Sequence, residues 1–407
     1  MVSYMVWNWK RHEGRLSVME NSGMVLMPGG VRDMLPAEAR RKRELEGRLL
    51  TLFESYGYQE VVTPTFEFYE VLEPALDRGM HEQLYRFIDD RGRIMVLRPD
   101  MTTPIARFVS TRLRDRALPM RFCYVANIFR RENHAGRQRE FYQAGVELLG
   151  AAGAEADAEV ISLACEALRL AGVENFQITV GHVEVLGGAL TGAGLAETER
   201  DKARLALSNK DFVTWQNLIA TSRISREHKE ALGGLPYLHG GIEMLSRIEG
   251  LISHPGAQEG VVRLRKVWEI LASYGFRDQV CIDLTLLRGL GYYTGIVFEG
   301  YTPGVGYPLC GGGRYDGLLA KFGFDCPATG FALGIERIMA ALEKEELPAE
   351  QVPDYYITGS DHMEVIRRAR ALRETGCSVE IDVSGLPREK AIACASRRGI
   401  PHILVVE

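Results

Sequence analysis

At 407 residues the chain is too long for one average domain, and its length predicts two or three domains. Hydrophobic residues make up 46% of the chain and charged residues 25%, which is typical of a soluble globular protein with sizeable cores. The formal net charge of −5 gives no support for a strongly cationic surface, so the composition does not favour a nucleic-acid-binding role.

The seven cysteines are scattered and form no CxxC pair, which predicts buried free thiols in a reducing cytosol. They lack the spacing of metal ligands, and the sequence predicts neither a zinc site nor a cofactor. Residues 1–23 lack the continuous apolar core of a secretory signal, and the chain has no run of about 18 apolar residues. We therefore expect a cytoplasmic protein without a membrane partner, with a disordered extension over residues 1–23.

The first half of the chain predicts a mixture of helices and strands. A helix starts near Pro36, which suits a first helical turn because its missing N–H is not needed there. Leu45, Leu49 and Phe53 recur at helical spacing, and Gly57 ends the run. The elements predicted next are strand 60–64, a hairpin of strands 85–89 and 94–98, helix 103–113, strands 122–129 and 141–149, helix 154–171 and strand 176–180.

The second half begins with a change of character. Residues 186–274 are rich in Ala, Leu, Glu, Lys and Arg, and they predict a mostly helical insertion. After it the sequence predicts strands 280–285 and 296–301, a glycine-rich turn over residues 311–317 and a helix over residues 330–342. Together with the first half, these elements predict a core that covers residues 24–342.

The end of the chain predicts a separate small domain. Residues 343–353 are charged, contain two prolines and predict a linker. Residues 354–407 alternate strand and helix, ending on a third strand, which predicts a small α/β domain with a parallel sheet. This domain has eight Lys and Arg residues and eight Asp and Glu residues, so its charge alone does not make it a platform for tRNA.

Arginine side chains crowd the loop between the two central strands. Arg130, Arg131, Arg137 and Arg139 all lie there, and guanidinium groups suit bidentate contacts with phosphate or carboxylate. A solvated charged hairpin would explain the same spacing. Arg337 lies in the last predicted helix of the core, and by itself it indicates nothing.

Two pairs of polar residues could line a small-molecule pocket. Asp100 could pair with an α-amino group beside Thr102, although Asp at such a junction also commonly caps a helix. Gln143 and Glu147 are four apart on one strand and therefore face the same side. A buried Glu needs a partner, and a ligand imidazolium would be one.

A third segment places Arg288 close to the adjacent tyrosines Tyr292 and Tyr293. These residues could line a polar pocket, and core tyrosines at the end of a strand are the alternative explanation. The glycine-rich residues 311–317 lack the Lys-Ser/Thr of a P-loop and do not follow the dinucleotide-binding spacing. We expect them to permit close backbone packing under a ligand.

The order and spacing of these segments over roughly residues 27–342 resemble class II aminoacyl-tRNA synthetases, specifically the histidyl-tRNA synthetase family. In that family the residue matched by Arg130 engages the nucleotide and the amino-acid carboxylate, and the residue matched by Arg337 stacks near the adenine. The residues that match its histidine-binding segments are Gln143, Glu147, Arg288, Tyr292 and Tyr293. The resemblance implies an α+β fold with an antiparallel sheet flanked by helices, usually in a dimer.

Departures from the synthetase pattern point to a paralogous family. Asp100-Met101-Thr102 stands where the synthetase has Glu-Gly-Thr, and Gly291 stands where it has Asp. Residues 354–407 lack the last part of the anticodon-binding fold and so resemble a truncated form of it. Residues 98–102, 235–241 and 293–298 instead resemble the regulatory subunits of ATP phosphoribosyltransferase. That family is non-catalytic, serves the first step of histidine biosynthesis, and is needed for the activity and histidine feedback of a short-form catalytic subunit.

This second resemblance implies a histidine-binding pocket without a catalytic residue. Asp100 and Thr102 would hold the amino group, Arg130 and Arg288 the carboxylate. Glu147, Gln143 and either Tyr292 or Tyr293 would contact the imidazole. The residues of a vestigial nucleotide site would be Arg130, Glu132, Arg137 and Arg337.

The expected partners are a short-form catalytic subunit, histidine, and a second copy of the chain within a larger hetero-oligomer, whereas tRNA is not expected. An active histidyl-tRNA synthetase is the alternative, because Arg130, Glu132, Arg137 and Arg337 survive. A third possibility is an amino-acid ligase or sensor that acts on another acceptor.

Overall fold

The computed structural model describes residues 27–76, 78–131, 138–237, 239–249, 252, 254–286, 291–342 and 352–407. The helices are α1 (Pro36–Ser55), α2 (Tyr69–Leu72), α3 (Arg78–Glu82), α4 (Thr102–Arg112), α5 (Ala154–Leu170), α6 (Val183–Gly192), α7 (Glu197–Ser208), α8 (Phe212–Thr221), α9 (Arg226–Gly234), α10 (Glu243–Glu249), α11 (Pro255–Ser273), α12 (Ile335–Ala341), α13 (His362–Glu374) and α14 (Arg388–Arg397). Short 3-10 helices cover Glu73–Ala75, Leu235–Tyr237, Arg277–Gln279 and Leu319–Phe322.

The strands are β1 (Gln59–Glu60), β2 (Phe66–Phe68), β3 (Arg86–Ile88), β4 (Ile94–Leu97), β5 (Met120–Phe129), β6 (Glu140–Leu149), β7 (Gln177–His182), β8 (His239–Gly240), β9 (Val280–Asp283), β10 (Ile296–Tyr301), β11 (Cys310–Arg314), β12 (Ala328–Gly334), β13 (Tyr355–Gly359), β14 (Val379–Ile381) and β15 (His402–Val406). Within these described ranges, no helix is both long enough and apolar enough to span a membrane.

A large sheet organises the core. Its strand order is β1-β5-β6-β12-β11-β10-β7-β9-β8. The pairs from β5 to β7 are antiparallel, whereas β1 pairs with β5 and β7 pairs with β9 in parallel. The predicted antiparallel sheet flanked by helices is therefore confirmed, with parallel pairs added near both ends.

The two faces of this sheet have different roles. On β6, Ala144, Val146 and Leu148 point into the main core, where α1 and α5 pack. Because side chains alternate along a strand, Gln143 and Glu147 point to the other face. The helical packing on one side thus leaves the opposite side free to build a pocket.

The predicted helix over residues 330–342 is wrong in its first part. Residues 328–334 form β12, which pairs with β6 on one side and β11 on the other, and the helix α12 begins only at Ile335. The alternation explains this, because Phe331 and Leu333 enter the core while Gly330 lies opposite Glu147. The predicted turn over residues 311–317 is likewise a strand in its first half, since β11 runs through Arg314. The predicted strand 60–64 shortens to β1 at Gln59–Glu60.

The segment predicted as a helical insertion, residues 186–274, contains most of α6, the helices α7 to α11 and the two-residue strand β8. One buried carboxylate joins it to the sheet. Asp157 on α5 accepts a hydrogen bond from Arg314 Nε at 2.9 Å and another from Arg263 Nε at 2.6 Å. Arg314 ends β11, and Arg263 lies on α11. Because a buried charge is tolerated only when it is paired and hydrogen-bonded, this network fixes α11 against α5 and β11.

Residues 352–407 contain the small α/β domain that the sequence predicts. β13 pairs in parallel with both β14 and β15. Tyr356 packs on the side of α14 and Ile357 on the side of α13, so the two helices cover opposite faces of the sheet. The exact domain boundaries stay predictions, and the predicted extension 1–23 and nearly all of the predicted linker 343–353 lie outside the described residues.

We expect Asp157→Ala to lower the free energy of unfolding by about 3–5 kcal/mol, because it leaves buried Arg314 without its main counter-charge. Urea denaturation followed by circular dichroism measures this loss. Glu230→Ala is the matched control, since it removes an ion pair with Arg226 that is exposed on α9. Its expected cost is about 0–1 kcal/mol. Similar costs for the two substitutions would show that the buried network is unimportant for stability.

Candidate functional site

A cavity of about 80 Å³ opens on the face of the large sheet opposite α5. It lies over β6, β11 and β12 and is closed by the N-terminus of α4 and the segment after residue 291. The predicted site residues that line it are Asp100, Thr102, Arg130, Gln143, Tyr292, Tyr293 and Arg337. The fold thus collects, at one place, residues from five separate parts of the sequence.

Glu147 is not among the residues that line this cavity; it lies buried behind Thr102 and Tyr315, which do line it, with 1% of its surface exposed. Its Oε1 accepts a hydrogen bond from Thr102 Oγ1 at 2.7 Å, and its Oε2 accepts one from the Tyr315 hydroxyl. Burial raises the pKa of Glu147 to about 8; the two hydroxyl donors oppose that rise, and the nearby Asp100 adds to it. Hydroxyl groups therefore occupy both oxygens of a carboxyl that is reluctant to ionise.

Glycine makes room for this carboxyl. Gly330 lies directly across from Glu147 in the sheet, and a Cβ atom added there would lie 2.0 Å from Glu147 Oε2. Gly313 lies opposite Gly330 on the next strand, where an added Cβ would lie 2.9 Å from the Tyr293 ring. The glycines of β11 and β12 therefore permit the close packing that the sequence predicts, and the position of a ligand over them stays a prediction.

Asp100 and Thr102 lie where β4 leads into α4. Asp100 is buried, its Oδ1 accepts from the Thr103 backbone N–H at 3.1 Å, and its Oδ2 accepts from Thr103 Oγ1 at 3.1 Å. The capping alternative is thus realised, and the same carboxylate also borders the cavity. Thr102, at the first position of α4, directs its hydroxyl to Glu147.

The arginines at the cavity also hold the backbone around it. Arg130 Nε donates to the Pro99 carbonyl at 2.7 Å, and its guanidinium carbon lies 5.8 Å from the centre of the Phe141 ring. Arg337 Nη1 donates to the Pro308 carbonyl at 2.8 Å, and the guanidinium carbon of Arg337 lies 5.3 Å from the centre of the Tyr307 ring. Both cations therefore border the cavity from fixed positions.

Tyrosines form the remaining wall. Tyr292 is buried, and its ring centre lies 4.9 Å from that of Tyr293 and 5.8 Å from that of Tyr315. Burial raises the pKa of Tyr292 well above its ordinary value, so its hydroxyl stays protonated. Sequence reasoning missed Tyr124 and Tyr315, which also line the cavity. Strand alternation could have found Tyr124, because it shares a face of β5 with Ala126 and Ile128.

Three predicted site residues, Glu132, Arg137 and Arg288, lie outside the described residues. Over the ranges that the structure does cover, no group of His, Cys, Asp and Glu side chains is arranged to hold a metal ion. The described site can thus offer carboxylates, hydroxyls and guanidinium groups to a small polar ligand.

Comparison with known proteins decides between the families that the sequence resembles. The model of the histidyl-tRNA synthetase family matches residues 30–338. The chain is 46% identical over 375 residues to the ATP phosphoribosyltransferase regulatory subunit of Moorella thermoacetica, covering 92% of this chain and 96% of the relative. This chain belongs to the family of ATP phosphoribosyltransferase regulatory subunits, which has a histidyl-tRNA synthetase-like fold.

Solved structures agree with this assignment. The chain is similar to an ATP phosphoribosyltransferase regulatory subunit/histidyl-tRNA synthetase from Bacillus halodurans, with a TM-score of 0.84 and 35% identity over 95% of this chain and 99% of the other. It is also similar to a histidine–tRNA ligase subunit from Alicyclobacillus acidocaldarius, with a TM-score of 0.68 and 31% identity over 80% of this chain and 99% of the other. The fold class and the family predicted from the sequence are both confirmed.

The raised pKa of Glu147 has a consequence for stability. The folded protein keeps this proton up to about pH 8, whereas the unfolded chain releases it near 4.5. The contribution of this proton to the free energy of unfolding is therefore fully present below about pH 4.5 and is lost as the pH rises towards 8. We expect Glu147→Gln to gain stability relative to the parent across this range, by up to about 1.4 kcal/mol per pH unit.

Urea denaturation of both proteins at a series of pH values measures this difference. Glu166→Gln is the control, because Glu166 also accepts a tyrosine hydroxyl, from Tyr56, but is only half-buried on α5. A difference between Glu147→Gln and the parent that stays constant with pH would contradict the expectation.

Proposed function

We propose that this chain is the non-catalytic regulatory subunit of an ATP phosphoribosyltransferase. In this role a short-form catalytic subunit needs it for activity and for feedback by histidine, in the first step of histidine biosynthesis. The proposal is supported by relatives that carry this subunit name and match nearly the whole chain. We place the complex in the cytoplasm.

The observation that carries the ligand part of the proposal is the cavity lined by Asp100, Thr102, Arg130 and Gln143, with Glu147 buried behind Thr102. Asp100, Thr102 and Arg130 all line it, which gives an amino acid both an anionic and a cationic partner. The imidazole ring would contact Glu147, Gln143 and one of the two tyrosines, Tyr292 or Tyr293. The resemblance also assigns the carboxylate to Arg288, which lies outside the described residues.

Histidine regulates by differential affinity. A ligand that binds one state of the assembly more tightly shifts the population towards that state. A coupling free energy of about 1–3 kcal/mol between the ligand and the assembly is typical of allosteric proteins. Histidine bound in the cavity would favour the inhibited assembly. The cavity itself then needs no chemistry beyond recognition, in keeping with Gly291 at the position where the synthetase has Asp.

A second copy of the chain completes the proposed assembly. The small sheet β2-β4-β3 exposes Phe66, Phe87, Ile88 and Ile94, and neighbouring Val62 is 88% exposed. The strand register puts Phe66 and Phe87 on one face of this sheet, with their ring centres 6.1 Å apart, and Ile88 and Ile94 on the other face. Clustered exposed apolar side chains often mark an interaction surface. We propose that the face bearing Phe66 and Phe87 joins two copies within a larger hetero-oligomer with the catalytic subunit.

Phosphoribosyl transfer to ATP by the short catalytic subunit tests the function. The assay is run with and without this chain while histidine is titrated in. We expect activity that depends on the chain and falls as histidine rises. A catalytic subunit that is fully active alone and indifferent to this chain would refute the regulatory role. Formation of histidyl-adenylate by this chain would instead favour the synthetase alternative, which Arg130 and Arg337 at the cavity keep open.

We expect Asp100→Asn to separate activation from inhibition, because it removes the anionic partner of the histidine amino group but keeps a side chain that can cap α4. Losing a hydrogen bond to a charged group should raise the histidine concentration for half-inhibition by about 10- to 100-fold. Activation in the absence of histidine should persist. The measurement is the histidine titration of the same assay.

Asp361→Asn is the matched control for this variant. Asp361 caps α13 through the backbone N–H groups of Met363 and Glu364, as Asp100 caps α4, but it lies in the C-terminal domain. It should leave histidine inhibition unchanged. An Asp100→Asn protein inhibited at the parent's histidine concentration would exclude the amino-group role.

A further inference from the structure

The small sheet of the C-terminal domain has one long open edge. Its strand order is β14-β13-β15, so within the described residues β14 and β15 are each hydrogen-bonded on one side only. β15 has five residues, whereas the other edge strands of the described sheets, β1, β2, β3, β8 and β14, have two or three each. An edge strand presents a row of unpaired backbone N–H and C=O groups, and β15 presents the longest such row.

β15 also lacks the usual protection of an edge strand. Proteins guard exposed edges with very short strands, charged side chains or proline. The five residues His402–Val406 include no Lys, Arg, Asp, Glu or Pro. At the opposite edge, Glu380 occupies the centre of β14 and forms an ion pair with Arg398 at 2.7 Å. The two edges of one sheet therefore differ in both length and charge.

The helices of this domain leave the side chains of β15 partly uncovered. Val365 and Ala369 of α13 belong to the cluster against which Leu404 packs, and α13 lies over β13 and β14. Ile403 packs on the other face, on the side of α14. Ile403, Leu404 and Val405 are all only half-buried. A strand added at this edge would therefore remove more apolar surface from water, which stabilises the contact.

We propose that β15 of one copy pairs with β15 of a second copy, antiparallel about a two-fold axis at Leu404. Two three-stranded sheets then form one sheet of six strands. An edge strand offers mainly backbone hydrogen bonds, so the partner that it fits is another extended strand. A two-fold contact uses the same surface on both copies, so this surface must be complementary to itself.

The charges of the two edges favour this pairing. A two-fold axis at Leu404 places each Leu404 opposite its own copy, Ile403 opposite Val405, and His402 opposite Val406. No two like charges face each other in this register. The same operation on β14 would place Glu380 opposite its own copy, and like charges directly opposite are destabilising. β15 is therefore the edge that can pair with itself.

This contact is separate from the face that bears Phe66 and Phe87, and it does not depend on the regulatory role proposed above. Each chain would then have two different two-fold contacts. In a closed assembly two such contacts per chain give a tetramer. We therefore expect four copies of this chain in the absence of the catalytic subunit.

Sedimentation velocity of the full chain over a series of concentrations tests the pairing. Leu404→Glu and Leu404→Lys should each halve the mass, because two like charges at the axis replace an apolar pair. We expect the dissociation constant of the contact to rise about 100-fold. An equimolar mixture of the two variant proteins should recover the parent's mass, since the axis then brings opposite charges together. Such recovery would exclude misfolding as the cause of the loss.

Ile381→Glu is the matched control. Ile381 is also half-buried, packs against the same cluster as Leu404, and lies on β14 at the opposite edge of the sheet. Its substitution should leave the parent's mass unchanged. If a Leu404 variant does not fold, as judged by circular dichroism, hydrogen exchange of the parent at low and high concentration replaces it. Association should then slow the exchange of the β15 amides and leave those of β14 unchanged.

Several outcomes overturn the proposal: folded Leu404 variants with the parent's mass, a mixture that keeps the mass of the separate variants, or an equal loss of mass in Ile381→Glu. Exchange of the β15 amides that is independent of concentration would do the same. If Leu404→Glu keeps its mass but no longer binds the catalytic subunit, the edge belongs to that subunit and not to a second copy. A parent dimer that Leu404→Glu turns into a monomer supports the β15 pairing and excludes the Phe66–Phe87 contact.

Discussion

The burial of one carboxyl group, Glu147, sets the requirements that the centre of this fold meets. A carboxyl in the middle of a sheet needs space and donors, since an unsatisfied buried polar group costs several kcal/mol, on the order of 2–7. Gly330 on the neighbouring strand supplies the space. Thr102 at the start of α4 and Tyr315 at the end of β11 supply the donors. The contacts of this one side chain thus position β12, α4 and the end of β11, which lie far apart in the sequence.

The two buried carboxyl groups, Asp157 and Glu147, contact adjacent residues at the end of β11. Arg314, which pairs with Asp157, directly precedes Tyr315, which contacts Glu147. The adjoining segment is tied to the same place, because the Thr294 N–H donates to the Arg314 carbonyl at 2.8 Å. The end of β11 therefore touches both the cavity and, through Asp157 and Arg263, helix α11. A chain of contacts from the cavity to α11 could carry coupling between the two places. It would be regulatory only if a change at one place altered the free energy at the other.

Much of this arrangement could be predicted from the sequence, and the failures have a common cause. Long apolar periodicities gave α1, α5, β5 and β6 to within a few residues. β11 and β12 were misassigned because Gly311, Gly312 and Gly330 have low strand propensity, and their conformation is imposed by neighbouring side chains that need the space. Tyr315 was missed for the same reason, since its partner lies two strands away and leaves no local signal.

The surviving arginines can be understood without catalysis. Arg130 joins the end of β5 to the Pro99 carbonyl just before α4, and Arg337 joins α12 to the Pro308 carbonyl just before β11. Each hydrogen bond fixes a segment that borders the cavity, so either arginine would retain a structural use after nucleotide chemistry was lost. A charged donor paired with a carbonyl is worth about 1.5–3 kcal/mol, enough to matter in a marginally stable protein. Arginines of a synthetase-like motif are therefore weak evidence for adenylate formation, because a structural use explains their presence equally well.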